Sequence, residues 1–273
     1  MQNSASSWKP VVLWILAVVI TLAAAAYQRI TGPTYPVKGK TVFQGSVIHY
    51  KLHRSHGGAG NQPVALTVPD TSIHAILHYR RYPTNESWTS EPMRREGEKL
   101  LGELPHQPPA GKMEYFITLQ KGAESIHLPA KRSVVTRFKG AVPGPVLGIH
   151  IFLMFLAMLF STRSGLQALF EPKSPFKLAL WTFILLTLGG MIMGPIVQKY
   201  AFGAFWTGAP FGWDLTDNKT LIAWAVWLIA LLRARHGREG RTWVVGASLV
   251  TLAVFLIPHS LLGSELKYTN VRS

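Results

Sequence analysis

The sequence predicts a membrane α-helical bundle of about five transmembrane helices carrying an extracytoplasmic all-β sandwich. Three observations predict it. The chain is 48% hydrophobic and 15% charged, too little charge to solvate a globular surface along all 273 residues. Five stretches, near 10–27, 144–161, 178–197, 220–233 and 243–263, are apolar over lengths that approach a membrane span. A span takes about 20 residues, because a rise of about 1.5 Å per residue must cross about 30 Å of hydrocarbon. Between 32 and 142 the pattern changes to short alternating segments separated by turn residues.

The predicted organisation is an N-terminal transmembrane anchor over 1–31, the sandwich over 32–142, and a four-helix transmembrane bundle over 143–273 with an aromatic outer loop at 198–219. Small residues in Leu22 to Tyr27 would also suit a cleaved signal peptide, whereas the long apolar run and the single Lys9 before it favour an uncleaved anchor. The fourth span is short and reaches sufficient length only if Asn218, Lys219 and Arg233 extend it toward the interfaces.

Lys and Arg set the expected orientation. Arg163, Lys173 and Lys177 follow the second span, and Arg233, Arg235, Arg238 and Arg241 follow the fourth. Placing both groups inside gives a multi-pass protein of the bacterial inner (cytoplasmic) membrane, with a cytoplasmic N-terminus and a periplasmic β-domain.

The net charge of +15 raises the question of nucleic acid, but the bases form no stripe, and 8 of the 9 Trp lie in or beside the apolar segments. The lipid bilayer is the expected partner, and nucleic acid is not. The absence of Cys excludes disulfides, thiolate metal sites, iron–sulfur clusters and covalently attached haem of the CxxCH kind.

In the β-domain, SIHAILHYRRY places Ile73, Ala75, Leu77 and Tyr79 on one face, and KMEYFITL turns Met113, Tyr115, Ile117 and Leu119 inward. Similar segments near 42–53, 63–68, 98–104, 124–128 and 133–139 bring the total to about seven strands. With HYRRY, the GELP turn entry and PPAGKMEYFITL before a late strand, the segment resembles fibronectin type III and other immunoglobulin-like domains. That resemblance implies a spacer, adhesive or docking module.

His49, His53, His56, His74 and His78 invite a metal reading, but strand residues four apart sit about 13 Å apart, too far to chelate one ion. Exposed or hydrogen-bonded rings are the expectation. Asn85-Glu86-Ser87 matches a glycosylation sequon.

The predicted span interiors contain no Asp, Glu, Lys or Arg, which argues against an ion-coupled transporter or proton pump. They contain His150 in VLGIHIFLMF and His259 in FLIPHSLLG. Both fall in the outer leaflet, at depths of about 9 and 6 Å. Imidazoles at matched depth on two helices suit axial coordination of a non-covalent haem b. Two unrelated His bonded to carbonyls or water are the alternative, and Pro258 frees a carbonyl near Val254 for that purpose.

The segment QKYAFGAFWTGAPFGWDLTDNKTLIAW is rich in aromatic residues and Gly and ends its loop at Trp213-Asp214. Over about 30 residues it resembles the tryptophan-rich, WWD-type loop of haem-handling membrane proteins of cytochrome c assembly. The resemblance implies an aromatic haem platform made by Gly203, Phe205, Trp206, Trp213 and Asp214, with Leu221 and Trp224 following and His150 and His259 as flanking ligands to the haem iron. The sequence departs from that family where TGAPFG interrupts the Trp run, where Leu-Thr follows Asp214, and in having fewer spans. An interfacial aromatic belt, with Asp214, Thr216 or Asp217 capping the fourth span, explains the same residues without a cofactor. Gly190 and Gly194 point to close helix packing, and Met154 and Met158 to lipid-facing or core positions.

Two functions follow as expectations. One is an integral membrane haem-binding protein, for haem handling or electron transfer within a membrane redox assembly alongside other membrane or periplasmic redox subunits. The other is a non-catalytic docking subunit whose basic β-domain recruits an acidic partner. An enzymatic role has the least support, since no nucleophile elbow, P-loop, HExxH or acidic pair is present.

Overall fold

The computed structural model describes residues 8–234, 236–258, 263, 266 and 268. The chain divides into a helical unit and a β unit.

The helical unit contains α1 (Trp8–Thr31), α2 (Gly144–Phe170), a third span built from α3 (Phe176–Leu186), a π-helix (Thr187–Met193) and α4 (Gly194–Phe202), then α5 (Leu215–Arg233) and α6 (Gly237–Leu256). Among the described residues, five helices are long and apolar enough to cross a membrane, with mean hydropathy from 2.3 for the first to 1.3 for the last two. The fourth span reaches 19 residues by taking Asn218, Lys219 and Arg233 into the helix.

The helix ends differ from the expected ones for identifiable reasons. The second span runs on to Phe170, so Arg163 lies inside a helix and is only 3% exposed. Its Nη2 donates to Glu171 at 2.5 Å. Arg241 on α6 donates to the carbonyls of Gln167, Ala168, Glu171 and Lys173, satisfying acceptors that a helix C-terminus leaves open. The fifth span stops at Leu256 instead of 263, because Ile257 precedes Pro258 and is held in the extended region.

Small residues bring the helices close. A methyl group on Gly165 would lie 2.5 Å from Ser248 Oγ, so α2 and α6 meet almost backbone to backbone there. The helical core is built around Trp227, Leu186, Val244 and the alanines at 157, 179, 230 and 247, and Trp227 Nε1 donates to Thr251 Oγ1 at 2.7 Å.

Among the described residues the β unit has eleven strands where about seven were expected. They are β1 (Val37–Phe43), β2 (Ser46–Leu52), β3 (Ser55–Gly57), β4 (Gln62–Thr67), β5 (His74–Arg81), β6 (Thr89–Pro92), β7 (Arg94–Glu96), β8 (Lys99–Leu104), β9 (Lys112–Lys121), β10 (Glu124–Leu128) and β11 (Val134–Lys139). The expected 42–53 segment is split by a hairpin turn, with Gln44 and Gly45 both at positive φ. Two such residues make the tight turn whose twist matches the strands, and Gln is not its usual occupant.

One sheet runs β3-β11-β9-β5-β6, with β10 also on β9; β4-β8-β7 and the β1-β2 hairpin form the others. Along one edge β9 pairs with β5, and along the other it pairs first with β11 and then with β10. Ile73, Ala75, Leu77, Tyr79, Met113, Tyr115, Ile117 and Leu119 all enter one buried core, as their alternation predicts. Leu77 Cδ2 comes so close to Gly102 on β8 that a Cβ there would be 3.0 Å away, so β5 and β8 share one tightly packed core.

Candidate functional site

The third span contains a conflict that its own sequence creates. In a continuous α-helix the ring of Pro195 would press on the carbonyl of Met191 and leave it without a donor. The chain widens instead into the π-helix, and the Gly194 N–H reaches the carbonyl of Gly189, five residues back. Such turns are rare and concentrate at functional sites.

His150 on α2 uses this turn. Its Nδ1 lies 3.0 Å from the Gly189 carbonyl oxygen. A carbonyl only accepts, so Nδ1 carries the proton, and in the neutral form of the ring the lone pair is then on Nε2. Among the described residues Nε2 has no hydrogen-bond partner.

The nearby glycines divide by role. A Cβ at Gly189 would lie 2.9 Å from Leu153 Cβ, and one at Gly190 would lie 2.7 Å from Thr220 Cγ2. Both are therefore packing positions, against α2 and α5, and Met154 Sδ fills the same contact. At Gly194 a Cβ would meet only ordinary contacts, one of them His150 Cε1 at 3.9 Å. That position accommodates a methyl group beside the imidazole without a clash.

The aromatic loop is organised around Asp217 on the first turn of α5, which is 6% exposed. Its Oδ2 accepts from the backbone N–H groups of Thr207 and Gly208 at 2.6 and 3.0 Å. Asn218 Oδ1 accepts from Ala209 N at 2.6 Å, and Gln198 Nε2 donates to Thr207 Oγ1 at 2.6 Å. No side chain fits at Gly208, where a Cβ would be 2.6 Å from Asp217 Cβ. The result is a loop pinned to the ends of α4 and α5.

The predicted site residues take distinct places on this frame. Gly203 follows α4 with φ of 85°, the left-handed position that ends a helix. Phe205 is exposed, with Lys199 Nζ 5.4 Å from its ring centre. Trp206 is half-buried, and its Nε1 donates to the Ala209 carbonyl at 3.0 Å. Trp213 is 91% exposed and Phe211 83%, the most exposed large apolar side chains of the loop. Asp214 is the N-cap of α5, its Oδ1 accepting from Thr216 N at 2.8 Å. Trp224 packs against Phe183 and donates to Thr187 Oγ1 at 2.9 Å. His259 lies outside the described residues, three positions beyond the end of α6.

Composition alone does not reveal the buried charge in the helices. Lys219 is 3% exposed, and its Nζ donates to the Ile257 carbonyl at 2.6 Å. Gln28 on α1 donates to the Phe255 and Ile257 carbonyls at 2.6 and 3.2 Å. An ammonium and an amide thus close the C-terminal end of α6, where the helix dipole is negative. The signal in sequence is Pro258, which ends the helix at Leu256 and so leaves its last carbonyls open.

In the β unit, His49, His53 and His74 are exposed, His56 bonds to the Gly60 carbonyl, and His78 bonds to Ser90 and Thr118. Among the described residues no three His, Asp or Glu converge as a metal site would require. Asn85 is exposed between β5 and β6. The sequence matches no protein-family profile and no curated protein.

Proposed function

We propose that this chain is an integral membrane haem-binding protein in which His150 offers Nε2 as an axial ligand to a non-covalently held haem b. The His150–Gly189 hydrogen bond carries the proposal. Metal-ligating imidazoles almost always donate their other ring N–H to a carbonyl or carboxylate, which sets the tautomer and raises the basicity of the ligating nitrogen.

In this proposal His259 is the second ligand. Phe205, Trp206 and Trp213 form the platform on which the macrocycle stacks, with Gly203 allowing its close approach. Asp214 holds the platform's end as an N-cap. When bound, haem supplies one-electron chemistry or is itself the cargo being handed on. The partners are other membrane or periplasmic redox subunits.

The orientation belongs to the same proposal. With Arg163 paired inside α2, Lys173, Lys177, Arg233 and Arg238 still lie in the two connections that follow the second and fourth spans, the end of the bundle assigned to the cytoplasm. The β unit is then periplasmic in a bacterial inner-membrane protein, and its core alternation supports an immunoglobulin-like sandwich.

A docking role for the β unit is a second proposal, favoured by charge. Between residues 32 and 142 there are 15 Lys and Arg against 8 Asp and Glu. Four of those acids, Asp70, Glu86, Glu96 and Glu114, are already paired with neighbouring Lys or Arg. The remaining positive surface would steer an acidic periplasmic protein toward the membrane.

A reduced-minus-oxidised absorbance spectrum tests the main proposal. Protein purified in detergent from haem-replete cells is expected to show a b-type signal that His150→Ala removes. A colourless wild type that also fails to take up added haem would contradict it.

A further inference from the structure

On the solvent face of the main β-sheet, two imidazoles from different strands converge on one hydroxyl. His78 Nε2 on β5 lies 2.9 Å from Thr118 Oγ1 on β9, and His127 Nδ1 on β10 lies 3.0 Å from the same oxygen. The other nitrogen of His78 meets Ser90 Oγ on β6 at 2.7 Å. Phe116 clamps the pair, stacked on His78 at 4.5 Å between centres and edge-on to His127 at 5.4 Å.

Counting protons shows what this arrangement permits. Thr118 has one hydrogen to give, so it donates to one ring and accepts from the other. With both rings neutral the chain is complete in either direction, from His127 through Thr118 and His78 to Ser90, or the reverse. One added proton is absorbed by reversing the hydroxyl. With a second, both rings donate to Thr118, whose own hydrogen loses its acceptor, and two cations lie within two hydrogen-bond lengths of each other.

Among the described residues this face offers no free carboxylate to offset that charge. On the same face β5 presents His74 and Arg80, and β9 presents Glu114, already bonded to Arg80 and Ser133. Glu91 of β6 accepts from the Tyr79 hydroxyl at 2.6 Å. On β10 the neighbour at the alternate position is the neutral Ser125. Burial, and then the charge of His127, push the His78 pKa below the ordinary imidazole value. Stability from His78 is therefore full above about pH 6.5, the unfolded value, and is lost as pH falls through the lower folded value.

Both strands joined by this chain are edges: β10 pairs with β9, and β6 pairs with β5. We propose that His78, Thr118 and His127 form a one-proton relay that keeps edge strands β6 and β10 closed at neutral pH and releases them on mild acidification. An acid-opened edge strand exposes unpaired backbone groups, the usual acceptor for an added strand from another chain.

Hydrogen–deuterium exchange of the full chain in nanodiscs at pH 7.5 and pH 5.0, corrected for intrinsic rates, tests it. Wild type is expected to open over 124–128 about tenfold more at the acid pH, the equivalent of one pKa unit of coupling. Thr118→Ser, which keeps the hydroxyl, should retain that response. Thr118→Val should be loosened already at pH 7.5 and respond little, and His78→Gln should not respond. An unchanged wild type at the two pH values, or a full response in Thr118→Val, would overturn the proposal.

Discussion

The imidazole of His150 donates from Nδ1 to the carbonyl of Gly189 at 3.0 Å, joining α2 to the π-helix of the third span. That carbonyl also takes the Gly194 N–H, so one oxygen both closes the wide turn and orients the ring. The Pro195 irregularity and the position of His150 are thus parts of one structure.

The glycines of this span should separate tight packing positions from tolerant ones. Gly190→Ala is expected to cost about 1–3 kcal/mol, because the new methyl would meet Thr220 Cγ2 at 2.7 Å. Gly194→Ala should leave thermal stability in detergent nearly unchanged. Equal melting temperatures for the two variants would contradict this division.

Asp217 is expected to control the aromatic loop. In Asp217→Ala the Thr207 and Gly208 N–H groups lose their acceptor, at about 1–3 kcal/mol each if they stay buried. Limited proteolysis should then cut within 204–214, where wild type resists. Asp217→Asn keeps an acceptor oxygen and should be cut more slowly than the alanine variant.

The Arg163–Glu171 pair is buried on both sides, at 3% and 8% side-chain exposure, and among the described residues two guanidinium nitrogens of Arg163 have no hydrogen-bond partner. Glu171→Gln leaves that cation unpaired and should destabilise the bundle by about 3–5 kcal/mol, whereas a joint Arg163→Met, Glu171→Leu replacement should come close to wild type. Thermal unfolding of the three proteins side by side reads the difference. A double variant worse than the single would show that the pair itself is stabilising.

Much of this architecture is visible in the sequence wherever one periodicity decides it. The buried faces of β5 and β9 follow from alternation, because a one-residue slip would turn Leu77 or Ile117 to solvent. The Gln44-Gly45 turn escapes notice because its conformation is better known for Asn-Gly. His78 and His127 cannot be paired from sequence, since only the shared neighbour β9 brings their strands together. At the helix ends, Lys219 has the composition of a residue reaching for the interface, yet it turns inward because Pro258 leaves the Ile257 carbonyl to be satisfied. His150 stands out by residue type alone. Its tautomer does not, because that depends on a carbonyl 39 residues away.

The most direct test of the haem assignment is equilibrium titration of the nanodisc-reconstituted protein with added haem, comparing wild type with His150→Ala. A defined Soret shift is expected in wild type, with an affinity at least about tenfold weaker in the variant, at the lower end of what loss of an oriented metal ligand removes. Identical binding curves and identical Soret positions for the two proteins would contradict it.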